Sequence, residues 1–116
     1  MFVYMLLCRD GSIYTGVAAD LEKRMRDHFR KTAAAAAYTR AKGAERLLLA
    51  FMCEGRSLAL RAEYAIKQLT RQEKDALVAS PSTLTDGRIP SLAGEKITPL
   101  PEDDPRILAV RAAYRG

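Results

Sequence analysis

Two β-prone runs at the start of the chain, separated by a short turn, constrain the fold more than any other feature of the sequence. Phe2–Cys8 is rich in apolar, aromatic and β-branched residues, and a second such run covers 13–17. Asp10-Gly11 stands between them, and this dipeptide between two such runs is a strong local signal for a β-hairpin. The sequence therefore predicts that the chain opens with two paired, antiparallel strands.

The length of the hairpin loop decides which residues face each other, and local propensity leaves that length open. With a two-residue loop, Tyr4 pairs with Val17, and Tyr4 and Tyr14 face opposite sides of the sheet because side chains alternate along a strand. With a three-residue loop closed by Gly11 at positive φ, Tyr4 pairs with Gly16 and the two tyrosines share one face. The Asp-Gly dipeptide suits both loops.

Helical periodicity follows the hairpin. One amphipathic stripe begins after Asp20, a good N-cap, and could run into the alanine run of the sequence. Residues 47–53 are predicted to form a third, buried strand. A second helix is expected to be capped by Ser57, and a capping box formed by Thr70 and Glu73 begins a third helix. The predicted order is β-β-α-β-α-α, an α+β pattern.

The distribution of proline divides the chain. All five prolines lie after residue 80. We therefore predict one unit over residues 1–79 and a proline-containing tail over 80–116, which is either a separate segment or a wrapped extension. The tail is expected to be mostly irregular, with a short helix at 105–115, because Asp104 can act as an N-cap and Pro105 suits the first helical position.

Positive charge is concentrated in one stretch of the sequence. The chain has a net charge of +5, and residues 23–46 alone carry eight lysines and arginines against two acidic residues. Such a patch favours polyanions, with nucleic acid as the default partner, whereas the plain alternative is a solvated helix face. The candidate nucleic-acid contacts are Lys23, Arg26, Arg30, Arg40 and Lys42.

Apolar runs and cysteine usage give an expectation about the compartment. The longest apolar run lies within 47–53, well short of a bilayer span, and the apolar start of the chain lacks the charged beginning of a signal peptide. We expect a cytoplasmic protein with no membrane segment. Cys8 and Cys53 are then expected to be two free thiols, because thiols are usually kept reduced in the cytosol.

Three polar residues lie on the shoulders of the predicted apolar stripes. Arg24 and His28 are one helical turn apart at the rim of the first stripe, and Glu63 lies at the rim of the second. A single carboxylate with waters and a substrate phosphate suits one Mg²⁺ or Mn²⁺. The alternatives are a half-buried histidine, a surface salt bridge, and a helix ion pair between Glu63 and Lys67. Taken singly, each residue is explained as well by its structural role.

Taken together and in order, these residues resemble the GIY-YIG nuclease superfamily. The matching segments are Val3-Tyr4-Met5 and Tyr14-Thr15-Gly16 in place of the two name-giving motifs, then Asp20-Leu21-Glu22-Lys23-Arg24, His28, and Leu58-Ala59-Leu60-Arg61-Ala62-Glu63 running into Ala65-Ile66-Lys67. The match covers roughly residues 2–78 and is most similar to the small stand-alone bacterial (YhbQ-like) members. One departure is that many members carry an Asn after the metal-binding Glu. This chain has none, and Gln68 or Gln72 is the available substitute.

The resemblance implies a fold and an activity. The fold is a three-stranded antiparallel sheet flanked by helices over residues 1–79, and the activity is hydrolysis of DNA phosphodiester bonds, in repair or recombination, with one divalent metal ion (Mg²⁺ or Mn²⁺). The expected substrate is structured or nicked DNA, and the tail is a candidate surface for a protein partner. Two other function classes are a non-catalytic nucleic-acid-binding module on the same fold and a protein-interaction domain.

The resemblance also assigns roles to five residues. Tyr4, Tyr14 and His28 would position or deprotonate the attacking water. Arg24 would hold the scissile phosphate, and Glu63 would bind the metal ion. Because catalytic tyrosines must share one sheet face, this assignment selects the three-residue loop. It predicts Tyr4 opposite Gly16, positive φ at Gly11, and both tyrosines on the sheet face of Arg24, His28 and Glu63.

Overall fold

A computed structural model describes residues 1–114 of the chain. Its strands and helices are β1 (Phe2–Cys8), β2 (Ile13–Ala18), α1 (Leu21–Phe29), α2 (Ala37–Lys42), β3 (Ala44–Cys53), α3 (Arg56–Lys67), α4 (Arg71–Ala79), β4 (Ile97–Pro99) and α5 (Pro105–Ala113), with 3₁₀ turns at Pro81–Leu84 and Pro90–Leu92. The strands form one antiparallel sheet in the spatial order β2-β1-β3-β4. The α+β class is as predicted.

The sheet has four strands, so the prediction of three was wrong. The additional strand, β4, comes from the tail and pairs with β3, Ile97 opposite Cys53 and Pro99 opposite Phe51. A three-residue strand is too short to show an alternating pattern, and it ends in a proline. Proline is tolerated there because an edge strand leaves one side of its backbone unpaired.

The alanine run does not continue the first helix. Helix α1 ends at Phe29, and Lys31 adopts φ 54, which a right-handed helix cannot accommodate. The Thr32 hydroxyl then donates to the Asp27 carboxylate at 3.0 Å, which stabilises the turn. Alanine propensity is thus overridden by local contacts, and the chain forms the separate short helix α2, which the predicted order lacked.

The remaining helix boundaries differ less from the prediction. Helix α3 begins at Arg56 with Gly55 at its N-cap, so Ser57 lies inside the helix instead of capping it. Helix α5 begins at Pro105 as predicted, with the Asp104 carboxylate accepting from the amide of Arg106. It ends at Ala113, and residue 115 of the predicted span 105–115 lies outside the described residues.

The hairpin has the three-residue loop. Tyr4 pairs with Gly16 and Leu6 with Tyr14, and Gly11 has φ +86. The amide of Cys8 donates to the carbonyl of Ser12 at 2.8 Å and closes the loop. The predicted register is therefore confirmed, and both tyrosines lie on the same face of the sheet.

The two faces of the sheet carry separate halves of the core. The face of Tyr4 and Leu6 is covered by α1 and α5, and the face of Val3 and Met5 is covered by α3, by α4 and by the two 3₁₀ turns. The tail therefore passes over one face, adds β4 at the edge, and packs α5 on the other face. That residues 1–79 form a separate unit remains a prediction.

The two cysteines are free thiols, as predicted. Both are buried, and burial raises the pKa of each thiol above its usual range. In the β1–β3 ladder, Cys8 lies opposite Ala44 at one end, whereas Cys53 follows Met52, the partner of Phe2, at the other end. The antiparallel pairing of these strands thus keeps the two sulfur atoms far apart.

Candidate active site

A buried pair of side chains forms the centre of the candidate site. The Tyr4 hydroxyl lies 2.6 Å from Nε2 of His28, and both side chains are completely buried. The ring of Tyr14 lies 6.3 Å from that of Tyr4 and 5.4 Å from the imidazole, measured between centroids. The strand register and helix α1 thus bring together three of the five residues expected at the site.

Gly16 makes room for the Tyr4 hydroxyl. A Cβ atom at this position would lie 2.5 Å from the Tyr4 hydroxyl oxygen and 2.7 Å from the ring carbon that carries it. No side chain can occupy that space, so only glycine allows the tyrosine to lie flat across its neighbour and reach His28. The three-residue loop is what places Gly16 at this point of the ladder.

Both partners of the central hydrogen bond are neutral at pH 7. Burial raises the pKa of Tyr4 well above its ordinary value of about 10, although the Arg24 guanidinium opposes this effect. Burial, followed by the positive charge of Arg24, lowers the pKa of His28 to about 4. The family resemblance left Tyr4, Tyr14 and His28 as candidates for deprotonating the water, and for Tyr4 the effect of burial on the pKa outweighs that of Arg24. The group with a free lone pair for a proton is the imidazole.

Arg24 lies at the rim of the site, with a quarter of its side chain exposed. Its guanidinium donates to the carbonyl oxygen of Ala34 at 2.6 Å, which ties the loop before α2 to α1. The nearest carboxylate oxygen, on Asp27, is 3.9 Å away. The salt bridge offered as the plain explanation of Arg24 is therefore loose, and the positive charge remains available at the rim.

Glu63 approaches the site from a different side than predicted. Its helix, α3, packs its buried residues against the sheet face of Val3 and Met5, opposite to the face of Tyr4. Since α3 also contacts the edge strand β2, the Glu63 carboxylate comes close enough for its charge to raise the pKa of Tyr4. Helix α3 thus packs on the sheet face opposite Tyr4, and that the Glu63 carboxylate joins the site stays a prediction. The Glu63–Lys67 ion pair, at 3.5 Å, is also present.

The donor atoms near the site suit one hard cation and no larger metal centre. Within residues 1–114, no three side chains of His, Cys, Asp or Glu come together as a metal site. His28 is not available as a ligand, because Tyr4 and Thr39 occupy both of its ring nitrogens. A single carboxylate completed by waters and a phosphate is the usual way in which proteins bind Mg²⁺. Glu63 fits that role, whereas Gln68 and Gln72 are both exposed.

Two residues of α2 belong to the site and were missed by the sequence analysis. Thr39 is completely buried, and its hydroxyl oxygen lies 2.7 Å from Nδ1 of His28. Tyr38 stacks on the ring of Tyr14, with centroids 5.7 Å apart, and is 40% exposed. In the sequence, these two residues are marked only by their position directly after an alanine run. Helix α2 is too short to show helical periodicity.

The basic residues proposed as nucleic-acid contacts are all exposed on the two helices that flank the site. Two lie on α1, one follows at its C-cap, and two lie on α2: Lys23, Arg26, Arg30, Arg40 and Lys42. Lys42 forms an ion pair with Asp10 at 2.9 Å, and its ammonium group lies 5.8 Å from the ring centroid of Tyr38. Lys42 therefore places one of these positive charges beside Tyr38, at the mouth of the site.

The buried, neutral His28 predicts that stability depends on pH. Its pKa is about 4 in the folded chain and near 6.5 in an unfolded one. Between these values the unfolded chain binds a proton that the folded chain excludes, so stability is complete above about pH 6.5 and falls as the pH drops toward 4. We expect a loss of about 2 kcal/mol in the free energy of unfolding from pH 7 to pH 5, measured by urea titration.

The matched variant His28→Gln isolates this effect, because it removes the only histidine. Its own stability is expected to change little from pH 7 to pH 5. An equal pH dependence in the variant and the wild type would show that other groups cause it.

Comparison with known proteins identifies the family. The model of the GIY-YIG catalytic domain matches residues 1–75. The chain belongs to the GIY-YIG family. Its relatives include the UPF0213 protein of Cronobacter sakazakii, 44% identical over 78 residues (67% of this chain, 80% of the relative), and the UPF0213 protein YhbQ of Escherichia coli K12, 41% identical over 78 residues (67% and 76%). The solution NMR structure of the UPF0213 protein BH0048 from Bacillus halodurans is 36% identical, covers 75% of this chain and 94% of that one, and has a TM-score of 0.45.

Membership of the small, stand-alone bacterial group of GIY-YIG proteins is thus confirmed. The GIY-YIG match includes every residue of the site described above, from Tyr4 on β1 to Glu63 on α3. It ends inside α4, so β4 and α5, which complete the sheet and its covering layer, lie outside the GIY-YIG match.

Proposed function

We propose that this chain is a metal-dependent endonuclease that hydrolyses DNA phosphodiester bonds. The observation that carries the proposal is the buried, neutral Tyr4–His28 pair, with its hydrogen bond of 2.6 Å, beside the space left by Gly16. A proton-accepting pair of this kind, next to the Arg24 guanidinium and the Glu63 carboxylate, suits hydrolysis of a phosphodiester. Positioning and electrostatic stabilisation supply most of the catalysis of this reaction. Family membership supports the same class of reaction.

The proposed mechanism assigns one step to each side chain. The attacking water, oriented by Tyr4 and Tyr14, gives a proton to the Tyr4 oxygen, and the Tyr4 hydroxyl proton passes to Nε2 of His28. Arg24 offsets the negative charge that develops on the phosphate oxygens. Glu63 would hold one Mg²⁺ or Mn²⁺, which polarises the phosphate when bound. The Tyr14 ring also closes one side of the site.

The basic surface of α1 and α2 supports DNA as the substrate. All five of its lysines and arginines are exposed, and the surface leads into the site at Tyr38. We propose that DNA structure, such as a nick, branch or flap, determines the substrate preference, in a repair or recombination process. Residues 1–79 would form the nuclease domain, which the family match over residues 1–75 supports.

Binding to DNA is expected to depend steeply on salt. If three to five phosphates are contacted, the slope of log K against log salt is about −3 to −4.5 for duplex DNA. Arg26→Ala weakens binding to all sequences equally and makes the slope shallower by about 1, because one counterion-releasing contact is lost. The measurement is fluorescence anisotropy of labelled duplex at several salt concentrations.

Lys96→Ala is the matched control, since Lys96 is exposed beside β4, at the opposite edge of the sheet from β2. It is expected to leave both the affinity and the slope unchanged. Equal effects of the two substitutions would mean that α1 is not the DNA surface, and an affinity independent of salt would contradict phosphate binding altogether.

The decisive experiment for the proposed function is cleavage. The purified protein is incubated with nicked, branched, flap and plain duplex DNA, with and without Mn²⁺, and the products are resolved on denaturing gels. Cleavage that requires Mn²⁺ supports the nuclease. Salt-sensitive binding without cleavage of any of these substrates would overturn it in favour of the second candidate, a nucleic-acid-binding module. In that case the ion pair with Lys67 would account for Glu63.

Location and partners follow as smaller parts of the proposal. Among the helices that the structure describes, none has the length and apolar content needed to span a bilayer. We propose the cytoplasm as the location, where its DNA substrate would be found in a bacterium. The tail is the proposed surface for a protein partner, and Leu108 on α5, half exposed, is its most accessible apolar side chain.

A further inference from the structure

We infer that Thr39 is a positioning residue that fixes the protonation of the His28 ring, so that Nδ1 carries the hydrogen and Nε2 presents its lone pair to Tyr4. The catalytic half of this inference depends on the proposed nuclease function, whereas the tautomer itself does not. It adds to the site a residue on α2 that touches neither substrate nor metal and acts only through His28.

The direction of the hydrogen bonds follows from the single proton of the Thr39 hydroxyl. Its oxygen lies 3.1 Å from the carbonyl oxygen of Ala36 and 2.7 Å from Nδ1 of His28. A carbonyl oxygen can only accept, so both contacts are hydrogen bonds at once only when the hydroxyl donates its one proton to Ala36. The same oxygen must then accept from His28, which requires a hydrogen on Nδ1. In a neutral imidazole, Nε2 is then the acceptor.

The opposite tautomer leaves one more group unsatisfied. With the hydrogen on Nε2, the Tyr4 oxygen would accept from His28. The proton of Tyr4 itself would then have no acceptor among the described hydrogen bonds, although the side chain is completely buried. A buried donor without a partner is costly. The hydrogen-bond donors and acceptors of Tyr4 therefore favour the same tautomer as those of Thr39.

The choice of tautomer has a consequence because the ring is neutral. Burial lowers the pKa of His28 to about 4, so at pH 7 the ring carries one hydrogen and has one acceptor nitrogen. Only the tautomer with a free Nε2 can receive the proton of Tyr4. Thr39, which is completely buried, therefore favours the tautomer in which the pair can accept a proton. In catalytic triads, loss of the residue that holds this tautomer lowers kcat by up to about 10⁴-fold.

The test compares Thr39→Val with Thr39→Ser. Valine keeps the shape of threonine and removes the hydroxyl, and serine keeps the hydroxyl. We expect ¹⁵N spectra of the imidazole in the wild type and in Thr39→Ser to show a hydrogen on Nδ1 and a bare Nε2, and Thr39→Val to show a mixture of tautomers. In the Mn²⁺ cleavage assay, kcat falls by about tenfold or more for Thr39→Val, with little change in KM, and recovers in Thr39→Ser.

Thr15→Val provides the matched control. Thr15 is also buried, and its hydroxyl has no hydrogen-bond partner among the described residues, so the same substitution there removes no contact. Its side chain lies on the Met5 face, away from His28. We expect Thr15→Val to leave the imidazole spectrum and kcat at their wild-type values. If Thr15→Val shifts the tautomer as much as Thr39→Val does, the effect is one of packing and the inference is wrong.

The spectra separate this inference from the proposed function. A wild-type spectrum with the hydrogen on Nε2, or a Thr39→Val spectrum identical to that of the wild type, overturns the assignment of Thr39 whatever the activity. If Thr39→Val does not fold, the wild-type spectrum still decides the tautomer and Thr39→Ser still decides whether the hydroxyl suffices. The expected spectra in a protein that cleaves no DNA would support the tautomer and reject the nuclease.

Discussion

Glu63→Gln is expected to reduce Mg²⁺- or Mn²⁺-dependent cleavage by about 10²–10³-fold, the usual effect of losing one group that stabilises the transition state. The amide keeps the shape of the carboxyl group but lacks the negative charge that a hard cation requires. Glu63 is partly exposed and contacts only Lys67 by an ion pair, so the fold should remain intact. DNA affinity without metal is expected to stay within about twofold of the wild type, or to rise slightly, since one negative charge is removed.

The control for this prediction is Asp75→Asn. Asp75 forms the same kind of ion pair, one helical turn from Arg71 on α4, and is fully outside the candidate site. It is expected to retain wild-type cleavage and to change stability by only a few tenths of a kcal/mol. Cleavage by Glu63→Gln near the wild-type rate would rule out Glu63 as the protein ligand of the metal, and the metal would have to be held by substrate phosphates and water.

Gly16→Ala is expected to damage both stability and activity. The added methyl group would lie 2.5 Å from the Tyr4 hydroxyl oxygen, and the Tyr4 side chain is completely buried. Overpacking of this kind costs about 2 kcal/mol and should lower Tm by about 10 °C in calorimetry. Because the clash separates Tyr4 from His28, we expect cleavage to fall by about 10²-fold even where the variant is folded.

Gly11→Ala separates these two effects. Gly11 has φ +86, and a methyl group added there would have no other atom within 4 Å, so the substitution costs roughly 1–2 kcal/mol through backbone strain alone. At about 10 °C below its Tm, Gly11→Ala is expected to cleave like the wild type, whereas Gly16→Ala is not. Wild-type cleavage by Gly16→Ala would show that the close approach of Gly16 and Tyr4 is not needed for catalysis.

Local sequence signals predicted the parts of this protein that depend on a few neighbouring residues. Asp20 caps α1 by accepting from the amide of Lys23, and the capping box of Thr70 and Glu73 is present at α4, both as expected. These predictions succeeded because a cap is a contact between residues two or three positions apart.

The hairpin register required an argument from function as well as from local chemistry. The Asp-Gly dipeptide allows two loops, and only the condition that two tyrosines share a site selected the three-residue loop. The register then followed from the two-residue repeat of a strand, in which one added loop residue reverses the relative facing of Tyr4 and Tyr14. The family resemblance thus predicted the hairpin register, because it required the two tyrosines to share one face, a requirement that turn propensity does not contain.

Several features were decided by contacts between distant parts of the chain. The strand β4 exists because residues 97–99 meet the free edge of β3, and three residues carry no periodicity of their own. Helix α2 exists because the chain turns away after α1 and Thr39 reaches His28, eleven positions earlier. The sequence also did not show on which face of the sheet α3 packs, because a helical stripe shows that one side of a helix is covered without showing what covers it.

The sequence by itself determined the family, the first hairpin and the candidate residues Tyr4, Tyr14, Arg24, His28 and Glu63, since these follow from residue types at short, fixed spacings. Only the tertiary structure decided the protonation of His28. Burial lowers the pKa of its imidazole to about 4, so the ring is neutral at pH 7 and can accept a proton, and Tyr4 and Thr39 contact its two nitrogens. The physical reason is that the pKa of a group depends on the water that is excluded from it and on the charges and dipoles placed beside it. Residues far along the chain cause both effects, and a local sequence pattern does not reveal them.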